Sequence, residues 1–116
     1  MKPECAATVF HVGNLTLATT YYTETLGFTV DFQYNELTGL EYGSVLLYLS
    51  GPGQDLKKAV GQGSIYIFCD EVDQYYQSIL NRGALLAVAI AGRPYGMRDF
   101  AIRDHDGNTL TFGRSI

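Results

Sequence analysis

The sequence predicts an α+β fold of two βαβββ modules, whose strands make a cupped mixed sheet with the helices on its outer face. Three observations lead there. The order strand, helix, then about three strands occurs twice, and a segment rich in Gly and polar residues, GPGQDLKKAVGQG, separates the two copies. At 116 residues the chain has room for one domain with a sizeable core and little more. Module one is expected at about residues 5–50, the linker at 51–63 and module two at about 64–116.

Each element has a local reason. The stretch from Ala6 to Val12 is apolar and extended. In NLTLATTYYTETLGF, the residues Leu15, Ala18, Tyr22 and Leu26 recur at helical spacing, with Asn14 as N-cap and Gly27 as stop. FTVDFQY, LEY and SVLLYLS then read as strands, divided by the turn-rich NELTG and by Gly43. In the second copy SIYIFC is a strand. Val72, Tyr75, Tyr76, Ile79 and Leu80 mark a helix with Asp70 near its start and Gly83 beyond its end. ALLAVAI, MRDFAIRD and NTLTFGR complete the set. One helix covers one face of each module, so the opposite faces are left to form a shared cup.

Composition narrows the function. The chain is 47% hydrophobic and 17% charged, with both signs scattered, as in an ordinary globular protein. A formal net charge of −4 and eight dispersed Lys and Arg disfavour nucleic acid, whose backbone needs a concentrated basic stripe. A neutral or cationic partner suits the charge better. No apolar run approaches the roughly 20 residues of a membrane span, and MKPECAATVF lacks the apolar core of a secretory signal, so a cytoplasmic location is expected. Cys5 and Cys69 lack the spacing of a redox or zinc pair and read as two reduced thiols.

The segment Asp104-His105-Asp106 tests whether the chain carries a metal or acid-base cluster. On either side of DHDGN the residues alternate, Phe100 and Ile102 against Ala101 and Arg103, then Leu110 and Phe112 against Thr109 and Thr111. Asp-Gly supplies the positive φ of a tight reversal, and aspartate side chains bond nearby amides. The segment therefore reads as a turn with a solvated His105, because nothing beside it supplies a third and fourth ligand.

The hairpin PYGMRDFAIRDHDGNTLTFG, the helix end YYTETLGF and the segment GSIYIFCDEVDQYYQSILNRG together resemble the vicinal oxygen chelate superfamily, most closely its bleomycin resistance protein branch. The likeness runs from about Ala6 to Arg114, and its specific part is the hairpin string. Enzymes of that superfamily, such as glyoxalase I, fosfomycin-modifying transferases and extradiol dioxygenases, hold a divalent metal through His, Glu or Gln at inward strand positions. The resemblance places those positions at Ala7, Leu47, Ser64 and Thr111. Ala and Leu donate no lone pair, and neutral hydroxyls are poor ligands. His11 shares the parity of Ala7 and Val9, yet it stands without a partner carboxylate. No Ser-His-Asp or Cys-His arrangement is evident.

The bleomycin resistance proteins bind their drug unaltered, in grooves where two subunits meet and aromatic side chains stack on flat parts of the ligand. The resemblance carries that role to Tyr66 and Phe68 in the middle strand, to Tyr95 before Gly96, and to Phe32 after Asp31. Asp31, Glu36 and Glu41 are solvated charges that could steer a cation. The expectation is a metal-free, cofactor-free binder of a small aromatic molecule, acting as a homodimer in which the arm Lys2-Pro3-Glu4 can be exchanged. The alternative is a metal-dependent lyase, transferase or dioxygenase of the same fold.

Overall fold

The computed structural model describes residues 1–55 and 57–116. Eight strands and two helices follow in the order β1 (Ala7–His11), α1 (Leu15–Thr20), β2 (Thr29–Tyr34), β3 (Leu37–Tyr42), β4 (Val45–Ser50), β5 (Ser64–Phe68), α2 (Val72–Asn81), β6 (Leu85–Gly92), β7 (Met97–Arg103) and β8 (Thr109–Ser115). They make two four-stranded sheets, ordered β1-β4-β3-β2 and β5-β8-β7-β6. The β1–β4 and β5–β8 pairs are parallel and the others antiparallel, so each module is a mixed βαβββ sheet. No described helix is long and apolar enough to cross a membrane.

Local chemistry explains the elements and two departures from the reading above. The Asn14 side chain accepts from the Leu17 amide at 2.9 Å, which starts α1. The helix does not stay α-helical to Gly27. It widens into a π turn over Tyr21–Thr25, where the Leu26 amide reaches back to the Tyr21 carbonyl at 3.1 Å. This turn buries the adjacent rings of Tyr21 and Tyr22 together. The second departure is the β2–β3 reversal. Asn35 takes the left-handed φ of 51° and, with Glu36, turns the chain in two residues, so Leu37, Thr38 and Gly39 join β3 instead of extending the turn.

The helix-facing sides of both sheets share one core. Phe10, Leu40, Leu47 and Leu49 pack with Leu15, Tyr22 and Leu26 in module one, and Phe100, Ile102, Leu110 and Phe112 pack with Val72 and Ile79 in module two. Polar bolts cross between the modules. The Tyr21 hydroxyl donates to the Arg103 carbonyl at 2.7 Å, Tyr22 donates to Asp104 Oδ2 at 2.8 Å, and Tyr75 donates to the Leu26 carbonyl at 2.5 Å.

The Asp104–Asn108 segment is such a bolt. Asp104 Oδ1 accepts from the amides of Asp106, Gly107 and Asn108 at 2.9 to 3.0 Å, while Oδ2 accepts from Tyr22 and from Asn108 Nδ2. Every lone pair of this buried carboxylate thus serves the turn or the module junction. His105 lies exposed, its ring 4.9 Å from that of Tyr21.

Candidate functional site

Strand parity and pairing decide which side chains line the sheet faces left open by the helices. In module one, Ala7 is opposite Leu46, Val9 opposite Tyr48 and His11 opposite Ser50, while Phe10, Leu47 and Leu49 are buried in the core. The second metal position assigned above therefore shifts: Leu47 points to the helix side, and Leu46 and Tyr48 take the open face. Its burial at 0% exposure is the physical reason, since a leucine at that point completes the core. In module two, Ser64, Tyr66 and Phe68 share the open face with Thr111, and Ile67 and Phe112 turn inward.

The open face of module two brings three of the four expected aromatic residues together. Tyr66 and Phe68 lie with ring centroids 5.0 Å apart. Tyr66 and Tyr95 both donate their hydroxyls to one oxygen, Asp99 Oδ2, at 2.8 and 2.5 Å. Arg93 Nε binds the other oxygen at 2.7 Å and extends Nη2 to the Ala89 carbonyl at 2.8 Å. Gly96, at φ 85°, makes the turn that folds Tyr95 back over the sheet. Gly113 supplies the space: a Cβ there would run into the Tyr66 hydroxyl and come within 2.9 Å of Asp99 Cβ.

The electrostatics follow from this arrangement. Burial pushes the Asp99 carboxyl up, but hydrogen bonds from Tyr95, Arg93 and Tyr66 outweigh it and leave the group below its ordinary range. Burial, together with the hydrogen bond to Asp99, pushes the Tyr66 phenol up to about 12. The hydrogen bond to Asp99 likewise raises Tyr95. With its charge matched by Arg93, Asp99 positions the two rings rather than attracting a cation. A shallow depression of about 290 Å³ beside them is lined by Val88, Arg93, Tyr95, Asp99, Ala101 and Thr111.

Phe32 belongs to the other sheet. Its ring covers Gly39 and meets Tyr48 edge-on at 5.2 Å, on the open face of module one. Asp99, Arg93 and Tyr48 were not among the residues singled out. Parity within MRDFAIR places Asp99 opposite the core residues Phe100 and Ile102, and this was the available signal for it. Nothing in the sequence paired it with Arg93.

The residues at the positions that the resemblance assigns to a metal are poor metal ligands. Ala7, Leu46 in place of Leu47, Ser64 and Thr111 offer at most two hydroxyls. No group of three or more His, Cys, Asp or Glu side chains converges among the described residues. His11 is lowered from its ordinary value by burial and by Lys57 and Lys58. Lys57 Nζ stands nearby, donating to the Val12 carbonyl at 3.0 Å and to Ser50, so the local field opposes a second cation.

A family model described as the Glyoxalase/Bleomycin resistance protein/Dioxygenase superfamily matches residues 6–112. Among solved structures, a bleomycin-binding protein from bleomycin-producing Streptomyces verticillus, complexed with copper(II)-bleomycin, is similar at 22% identity and TM-score 0.78, covering 97% of this chain and 96% of that one. The lactoylglutathione lyase of Agrobacterium tumefaciens is similar at 22% identity and TM-score 0.79, with 98% and 95% covered. TioX from Micromonospora sp. ML1 is similar at 15% identity and TM-score 0.80, with 98% and 100% covered. No curated protein sequence matches the chain.

Proposed function

From the premise that the chain belongs to the Glyoxalase/Bleomycin resistance protein/Dioxygenase superfamily, we propose that it binds a flat aromatic small molecule, neutral or cationic, and sequesters it without chemistry. The observation that carries this reading is a substitution of character on the open faces of the two sheets. Where enzymes of this fold hold a metal, this chain offers Ala7 and Leu46 on one sheet and Ser64 and Thr111 on the other, and on that second sheet Tyr66 and Tyr95 meet at Asp99 with Phe68 against Tyr66. Those four side chains offer a Lewis acid no nitrogen or carboxylate, and the nearby Asp99 carboxylate is engaged by Tyr66, Tyr95 and Arg93, whereas aromatic rings give contact area and stacking at small entropic cost.

The complete site in this proposal needs two copies. Val9 and Tyr34 on one sheet, and Phe68, Leu85, Val88 and Tyr95 on the other, are exposed apolar residues in a single chain. Patches of that kind mark surfaces that meet a partner. A twofold pairing that sets module one of each copy over module two of the other would cover both faces and bring Phe32 and Tyr48 opposite Tyr66 and Tyr95. The bleomycin-binding neighbour supports the ligand class by its shape alone, since it shares 22% identity.

Intrinsic tyrosine fluorescence tests this directly. Titration with metal-free bleomycin and a panel of flat neutral and cationic aromatics should give saturable quenching by at least one compound, with the ligand recovered unchanged. Absence of a response across the panel would refute sequestration.

A further inference from the structure

A second cavity lies away from the depression beside Tyr95 and Asp99. It is a groove of about 500 Å³ at the seam between the modules, within the usual size of small-molecule sites. One bank is the β3–β4 hairpin tip with Tyr42, and the other is the α2 face with Glu71 and Tyr75. Its floor is the end of β5, where Cys69 follows Phe68. No residue lining it also lines the depression beside Tyr95 and Asp99.

The banks are held at a fixed spacing. Tyr75 is tied to the Leu26 carbonyl at 2.5 Å and Arg82 Nε to the Thr25 carbonyl at 2.9 Å, so α2 is fastened across the seam to module one. Tyr42 stands edge-on between Phe28 and Tyr75, at 5.5 and 6.0 Å. A groove between bolted elements with aromatic walls is preorganised and does not collapse when empty. Asp70 and Glu71 line it with negative charge at the start of α2, opposed by Arg82, whose Nε is taken up by the Thr25 carbonyl. The Glu71 side chain makes no cap hydrogen bond to α2, which leaves its carboxylate available to a ligand.

We propose that this seam groove is a second binding site, taking a flat aromatic molecule that carries a protonated amine: the ring lies along the groove against the edge-on pair of Tyr42 and Tyr75, and the ammonium faces Glu71. Aromatic walls and an acidic lining form a pairing that favours such cations over anions of the same shape. Phe68 lines both this groove and the open face, but the seam site uses neither Tyr66 nor Tyr95, so substitutions at Tyr95 and Glu71 separate the two.

Cys69 lets the site report on itself. In the Cys5→Ser protein it is the one remaining thiol, half-buried at the groove floor. Alkylation by iodoacetamide at pH 9 would be followed by mass with and without proflavine, a flat tricyclic cation, while polarisation of the dye reports binding. Proflavine should slow alkylation of Cys69 at least fivefold at concentrations that saturate polarisation, and anionic fluorescein should not. Glu71→Gln should weaken the protection of Cys69 by proflavine severalfold, while Tyr95→Ala leaves that protection unchanged, whatever it does to total dye polarisation. Absence of binding, binding without protection of Cys69, or protection lost in Tyr95→Ala but kept in Glu71→Gln would overturn the seam site. The last result would instead place the dye on the open face and leave the sequestration reading standing.

Discussion

The Tyr22 hydroxyl and Asp104 Oδ2, 82 residues apart in the chain, meet at 2.8 Å in the buried junction between the two modules. The same carboxylate holds three consecutive amides of its own turn. Asp104 therefore shapes the β7–β8 reversal and fastens it to the π turn of module one.

Tyr22→Phe removes one charge-assisted hydrogen bond without leaving a hole, and should cost about 2 kcal/mol in a denaturant titration. Asp104→Ala also strands buried amides and should cost about 3 kcal/mol or more. Equal losses in the two variants would contradict the assignment of Asp104 to the turn.

Gly113→Ala places a methyl against the Tyr66 hydroxyl. The ring must move and leave Asp99, so its phenol, pushed up to about 12 in the native protein, should return toward an ordinary tyrosine value near 10. Carbon-13 NMR titration of labelled tyrosines, with the Tyr66 signal assigned by its loss in Tyr66→Phe, measures this apart from Tyr22 and Tyr75, which are raised further. A Tyr66 signal that still ionises late in Gly113→Ala would contradict the displacement of its ring.

The acid and alkaline limbs of stability have opposite signs. Asp99 is lower in the folded chain than in the unfolded one, so its contribution is present above its ordinary value of about 4 and is lost as pH falls through the folded value. Tyr66 is raised, so its contribution is present below about 10 and is lost between there and about 12. Asp99→Asn should flatten the acid limb below about pH 4, while wild type keeps a slope there. Thermal unfolding across pH 2–12 reads both limbs.

Zinc, nickel, iron or manganese offered at equimolar concentration should pass through gel filtration without co-eluting with the protein. Chelator treatment should leave the melting temperature and ligand-dependent quenching unchanged. One tightly held ion per chain would restore the enzyme reading.

The fold was readable in the sequence wherever a local rule carried it. Asn14 and Gly27 bracket the first helix because cap chemistry is local, and the alternation around DHDGN marks the last hairpin. What was not readable depends on partners far apart in the chain. The π turn at Tyr21–Thr25 exists where two adjacent tyrosines both find acceptors in module two, which no helical period announces. Gly39, which looks like part of a turn, lies in β3 because the Phe32 ring occupies its Cβ space. Of the candidate site, Tyr66, Phe68 and Tyr95 meet on one sheet and Phe32 on the other. Asp99, which organises two of them, was hidden because its bonds to Tyr66 and Arg93 are tertiary.

The most direct test of binding without chemistry is calorimetric titration of the best ligand from the fluorescence panel into wild type, Tyr66→Ala and Tyr95→Ala, with and without chelator, followed by mass analysis of the recovered ligand. Saturable binding indifferent to chelator, weakened about tenfold or more in each variant, with the ligand's mass unaltered, is the predicted result. Metal-dependent conversion of that ligand, or affinity untouched by both substitutions, would contradict the account.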